Sequence, residues 1–362
     1  MVKNNFRLSN LQAMFLIASI PLGSVLGLTS SGQMMGHNIW VPMVISIGGG
    51  FLLALLIKDI ILLYPGKDLA QIFESSFGSV GKIGAFICFA NILLAFSFHV
   101  LCGVYFLNFV GMYHTPVYVF ALIMIAISSI AAYYGLEVIA RISILLILTF
   151  FVVFAIDNIF LISMADFENL LPIGPLDPLV TTMVSLTLFA GQFGILLLAL
   201  IIAPQIKDQS KITKTIFWGL IISATYFILN IIRTIAAMGD ELLLHYYPLL
   251  HLLRMVTWHT SYARIDLGGI LIVLTISFLL LMFCNFSLAY LGGYFLKKDY
   301  RKVILPLAIV EFVIFCILIG SNIYERVNVL CYVNLAITML ILVLLISVDL
   351  RGRYLKKRKI GP

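Results

Sequence analysis

Among the polar side chains inside stretches otherwise apolar enough to be membrane spans are Asn91, His99, Asp157, Arg233, Asn285 and Glu311. A charged group at the centre of a span costs about 2.5–3.5 kcal/mol on insertion scales, so each such residue needs a partner or a task. Glu311, at mid-span, is expected to be uncharged and hydrogen-bonded between helices. Arg233 and Asp157 lie toward the outer side, where they are expected to reach the interface or to pair. Asn91 and His99 are two turns apart on roughly one side of their helix. They either bond to a neighbouring helix or line a central cavity, and Asn285 has the same two alternatives.

Backbone chemistry is suggested at two further places. Pro21-Leu22-Gly23-Ser24 interrupts the first apolar stretch, because proline removes a helix N–H and clashes with the preceding turn, while glycine tolerates unwound backbone. Leu188-Phe189-Ala190-Gly191-Gln192-Phe193-Gly194 interrupts the sixth. Unwound carbonyls attract a cation or an ammonium group, and freed half-helix N-termini attract a carboxylate. Together they suit a zwitterion, with Leu22, Gly23, Ser24, Phe189, Ala190, Gly191, Gln192 and Phe193 around it and Asn91, His99 and Asn285 on the cavity wall. A branched side chain at Gly191 is expected to block the ligand's approach.

Enzyme signatures are missing from the sequence: it holds no H-E-x-x-H, no G-x-S-x-G and no P-loop. We expect no catalysis, no cofactor and no metal. His245, His251 and His259 fall between Glu241 and Thr260 without an i, i+4 pair, which points to an amphipathic segment over the outer mouth rather than a metal site. The five cysteines sit in apolar stretches without a C-x-x-C pair and read as small hydrophobes.

Positioning these residues takes helices. Hydrophobic residues make up 62% of the chain and charged ones 11%, far from the roughly 25% charged of a soluble domain. Apolar stretches of about 20 residues, the length that crosses a bilayer, recur at 10–31, 40–63, 82–110, 116–134, 137–163, 176–204, 214–238, 265–295, 302–321 and 327–348. Lipid satisfies no backbone polar group, so all ten are expected to be helical. The expectation is a single all-α transmembrane domain over 1–362. Its first repeat covers about 10–163, its second about 176–348, and a basic tail covers 349–362. Five helices per repeat make the repeats inverted, with the interruptions at equivalent positions in helices one and six.

Nineteen of the 23 basic residues fall on the side of the N-terminus, which by the positive-inside rule places both termini in the cytoplasm. The net charge of +7 is thereby explained by orientation in the bilayer, with no role for nucleic acid.

Several short segments, in order, resemble one known family. They are Gln12 with Pro21-Leu22-Gly23-Ser24, Tyr64-Pro65-Gly66-Lys67, His114-Thr115-Pro116, Tyr134-Gly135-Leu136-Glu137-Val138-Ile139-Ala140-Arg141, Asn169-Leu170-Leu171-Pro172, Tyr247-Pro248-Leu249-Leu250 and Arg264-Ile265-Asp266. The chain is similar to the B subunits of GerA-type spore germinant receptors, spore germination permeases of the amino acid–polyamine–organocation superfamily. The resemblance implies a LeuT-like fold, residence in the spore inner membrane, and partnership with an A-type membrane subunit and a C-type lipoprotein. It also implies sensing of a small nutrient, usually an amino acid, that triggers ion release; a plain amino-acid permease working by alternating access is the alternative. One departure stands out. Members often carry an acidic residue near the helix-six break, where this chain has the uncharged Gln192.

The charge asymmetry generates a test of topology. A Lys359→Cys variant in a cysteine-free background is expected to react with an impermeant maleimide only after the membrane is permeabilised. Labelling of intact cells would reverse the assignment.

Overall fold

The computed structural model describes residues 7–25, 35–110, 112, 114–171, 174–245, 247–255, 266–319 and 323–360. Within them the chain is helical: α1 Asn10–Gly23, α2 Trp40–Leu63, α3 Leu69–Phe77, α4 Gly81–Val110, α5 Val117–Tyr134, α6 Leu136–Leu161, α7 Pro178–Phe193, α8 Leu198–Ile202, α9 Ile212–Met238, α10 Pro248–Met255, α11 Asp266–Leu296, α12 Tyr300–Leu318 and α13 Ile323–Ile360. The ten expected spans correspond to α1, α2, α4, α5, α6, α7 with α8, α9, α11, α12 and α13. Eight of these are long and apolar enough to cross a bilayer by length and composition. The other two are the short apolar α1 and α12, which carries Arg301, Lys302 and Glu311 within its 19 residues. The outer part of the first span, from Leu26, and the segments 256–265 and 320–322 lie outside the described residues.

Local sequence sets the helix starts. Ser9 caps α1 in a reciprocal box with Gln12, and Asp177 accepts from the Leu179 and Val180 amides ahead of Pro178 at the first turn of α7. Gly135 adopts a φ of +93°, open to glycine at little cost, and turns the chain from α5 into α6. Glu137 and Arg141 then pair one turn apart on the exposed surface of α6.

Helix packing follows a twofold rule. α1 rests on α9 as α7 rests on α2; α1 meets α6 as α7 meets α13. In the same way α5 and α6 pack on α11, and α12 and α13 pack on α4. Each of these contacts recurs five spans further on, whereas the contact of α1 with α11 has no comparable counterpart between α7 and α4. Large apolar side chains such as Leu122, Leu145, Ile159, Leu305 and Ile309 face outward, as lipid requires, while Leu16, Ile17, Leu196 to Ile202, Leu279 and Phe283 fill the centre.

Two features depart from expectation. The loop after α2 folds into α3, a short amphipathic helix packed against α4 and α13 and started by Asp68 and Gln71 in a second capping box. Tyr290 donates to Asp68 at 2.8 Å and Tyr294 to Glu74 at 2.5 Å, fastening α3 to α11. Gly81 lets α4 approach so closely that a Cβ there would lie 2.1 Å from the Phe73 carbonyl oxygen. The expected tail is also structured. α13 continues through it for 38 residues, about 57 Å, with Arg353 bonded to Asp349 and Asp59 and Arg351 over the ring of Phe77.

These contacts predict the dynamics of α3. A hydrogen bond to a charged group contributes about 1.5–3 kcal/mol. Tyr290→Phe combined with Tyr294→Phe is therefore expected to raise hydrogen–deuterium exchange of the Leu69–Phe77 amides by about tenfold or more. Unchanged exchange there would show that α3 is held by apolar packing alone.

Candidate functional site

The first interruption is compact. α1 stops at Gly23, and the Ser24 amide turns back to the Leu22 and Pro21 carbonyls while its hydroxyl donates to Pro21 O at 2.6 Å. Leu22 and Ser24 are buried. Gly23 is pressed against α11: a Cβ there would lie 2.3 Å from Leu280 Cβ and 3.0 Å from Ile276 O. Glycine is thus required at this position for close approach between helices.

The second interruption begins at Gly194, the last residue of the stretch that the sequence marks. The stretch Phe189–Phe193 remains helical, and the break falls at Gly194–Leu197. There the i→i−4 pattern tightens into three-residue bonds: Leu196 N to Phe193 O at 2.8 Å, Leu198 N to Ile195 O at 3.0 Å and Ala199 N to Leu196 O at 2.9 Å. A Cβ at Gly194 would come within 2.3 Å of Ala190 O and 2.6 Å of Thr338 Oγ1. Gly191, by contrast, has nothing within 4 Å of a built Cβ. The Cβ side of Gly191 is therefore open, and the crowding belongs to Gly194.

The other residues of the helix-six stretch divide into packing and polar roles. Phe189 and Phe193 lie against Gly49 and Gly50 of α2, their rings 6.4 Å apart, so helix packing engages both aromatics. Ala190 O accepts from the Gly194 amide and from Asn334 Nδ2, both at 3.1 Å. Gln192 is fully buried; its Nε2 reaches Met43 Sδ at 3.3 Å and its Oε1 has no partner.

On α4, Asn91 is fully buried with both side-chain polar atoms unpartnered. His99 bonds through Nδ1 to Ala95 O at 2.6 Å and leaves Nε2 without a partner. Asn285 turns away from the two interruptions. Its Nδ2 faces Ser128, Ser129 and Glu311, between α5 and α12. Arg233 does not extend to the interface either. It is buried, bonded through Nη2 to Asn230 at 2.6 Å, with its guanidinium 4.7 Å from the centre of the Phe154 ring and within electrostatic reach of Asp157. Between α9 and α10 His245 and His251 stack 3.6 Å apart, and His259 lies outside the described residues.

Sequence reading missed Asn334 and Thr338. They are one turn apart on the buried face of α13, and both address the α7 interruption; Asn334 Oδ1 and Thr338 Oγ1 are unpartnered. Two polar residues at i, i+4 in the last span were the available signal.

This fold, with α1 ending and α7 interrupted at the heart of a helix bundle, defines the class: a LeuT-fold membrane protein. The solved structures it resembles agree. Mhp1, a nucleobase-cation-symport-1 family transporter in a closed conformation with bromovinylhydantoin bound, superposes with a TM-score of 0.65 at 14% identity, over 90% of this chain and 75% of Mhp1. MhsT in complex with L-phenylalanine gives 0.66 at 14% identity, over 86% of this chain and 79% of MhsT. The manganese transporter of Eremococcus coleocola gives 0.58 at 17% identity, over 94% and 78%. A family model described as "Spore germination protein" matches residues 7–324, and the chain belongs to this spore germination permease family. Spore germination protein KB of Bacillus subtilis (strain 168) is 24% identical over 343 residues, 89% of this chain and 87% of that protein.

A pair of substitutions tests the location of the break. Gly194→Ala is expected to lower the melting temperature, because overpacking costs about 1–3 kcal/mol. Gly191→Ala is expected to leave it unchanged or raise it slightly, because alanine is the better helix former by about 1 kcal/mol. The reverse order would return the break to Gly191.

Proposed function

We propose that the chain binds a small zwitterionic nutrient, most simply an amino acid, between the end of α1 and the α7–α8 interruption. Binding is coupled to a transporter-type change between two states of the bundle. The observation that carries this reading is the pairing of the interruptions with uncharged, unpartnered polar atoms. Gln192 Oε1, Asn334 Oδ1 and Thr338 Oγ1 lie unpaired around a backbone already deprived of regular helix bonds. A buried polar group without a partner is costly, and a polar ligand is one way to supply the missing bonds. In this reading Leu22, Gly23, Ser24 and Ala190 present backbone, with Asn91 and His99 as the α4 wall. Residues 10–163 and 176–348 are the two repeats of one domain, and both termini are cytoplasmic.

The permease reading, carriage by alternating access, comes first because each solved structure named above is a transporter or shares the transporter fold, and MhsT holds an amino acid. The family match favours a second use of the same machinery. Here binding in the spore inner membrane is read out as germination, with an A-type membrane subunit and a C-type lipoprotein as partners and ion release as the outcome.

Purified protein in proteoliposomes separates these readings. Scintillation-proximity binding across the twenty amino acids is expected to find at least one saturable ligand, weakened about tenfold or more by Asn334→Ala. Counterflow of that ligand supports the permease; saturable binding without flux supports the receptor. An absence of binding across the panel would overturn the amino-acid reading.

A further inference from the structure

Glu311 lies at mid-membrane depth in α12 and is 1% exposed. Its neighbours come from two other helices: Asn285 of α11, and Ser128 and Ser129 of α5. The Asn285 amide nitrogen faces three oxygens at once: Ser128 Oγ at 3.1 Å, Ser129 Oγ at 3.1 Å and Glu311 Oε2 at 3.4 Å. An amide has two N–H groups, so this arrangement holds one acceptor too many. On the other side of the balance, Asn285 Oδ1 and Glu311 Oε1 have no partner. The Ser128 hydroxyl already donates to Ile125 O at 2.9 Å, so it turns lone pairs toward the cluster.

A half-turn of the Asn285 amide about its terminal bond exchanges nitrogen for oxygen. Oδ1 then stands 3.1 Å from Ser128 Oγ and Ser129 Oγ and 3.4 Å from Glu311 Oε2, which gathers four oxygens from three helices. A protonated Glu311 donating to the turned Asn285 Oδ1 is the rival occupant, and it supplies no partner to Ser128 Oγ. A cation satisfies all four oxygens and neutralises the carboxylate. Its charge is set by the surroundings: one carboxylate balances a monovalent ion, and a divalent ion would leave a net charge in hydrocarbon. Its type is set by the ligands, since carboxylate, amide and hydroxyl oxygens suit hard cations.

We propose that Glu311, Asn285, Ser128 and Ser129 form a binding site for a monovalent alkali cation. The site is separate from the α1 and α7–α8 interruptions and does not depend on which ligand they bind. An ion here would clamp α5 and α12 onto α11. The same helix receives Gly23 of α1 at Ile276 and Leu280, so the ion would stiffen the surface on which the first interruption rests.

The test uses purified protein in lipid nanodiscs at constant ionic strength, melted in sodium, potassium or N-methylglucamine chloride. The melting temperature is expected to rise saturably with sodium or with potassium over N-methylglucamine, and the two arms identify the ion. The half-saturating concentration is expected to rise about tenfold in Ser129→Ala, and the effect to vanish in Glu311→Gln. If Glu311→Gln fails to fold, radiolabelled sodium and rubidium binding to the wild-type protein decides, with one ion per chain expected. Identical melting in the three salts would overturn the site, as would an alkali effect that survives Glu311→Gln. An alkali-independent melting temperature that instead follows pH in the wild type and not in Glu311→Gln would replace the cation with a proton. Cys284, the other titratable group in electrostatic reach of Glu311, is changed to serine as the control for that arm.

Discussion

Lipid offers no hydrogen bonds, and a helix that stops inside a bilayer must find its missing partners within the protein. This constraint organises the molecule. Where α1 ends, Ser24 turns back on the Pro21 and Leu22 carbonyls. Where α7 ends, three-residue bonds carry the chain through Gly194–Leu197, and Asn334 of α13 adds a donor to Ala190 O. Each interruption also needs a glycine at the contact with a neighbouring helix, Gly23 against α11 and Gly194 against α13. The rest of the bundle can be read as the scaffold that lets two helices stop where they should not.

Much of this was legible in the sequence. Ten apolar stretches located the long helices, and Pro21 with Gly23 falls in the last turn of α1. The break in α7 was marked over 188–194 but begins only at Gly194, because helical propensity does not distinguish Gly191 from Gly194. The difference between them is tertiary: one faces open space and the other faces Thr338. α3 was missed because its pattern, Leu69, Ala70, Ile72 and Phe73 buried with Gln71 and Ser75 outward, is too short to register beside spans of twenty residues and more.

The intramembrane polar residues show a similar division. Their presence could be read, but not their direction. Asn285 looked equally able to line the centre or to bond sideways, and it bonds sideways to α5 and α12. Arg233 has the length to reach the interface, yet it folds onto Phe154, where a ring face and Asn230 replace water. Side-chain direction depends on which helices pack together, and that follows from the twofold arrangement rather than from any one span.

The most direct test of the account is the position of bound ligand in a cryo-electron microscopy map of the protein with the nutrient it binds. The account places ligand density within hydrogen-bond reach of Leu22–Ser24 on one side and of Ala190, Gln192 and Asn334 on the other. Density beneath α10, with the space between the two interruptions unchanged, would contradict it.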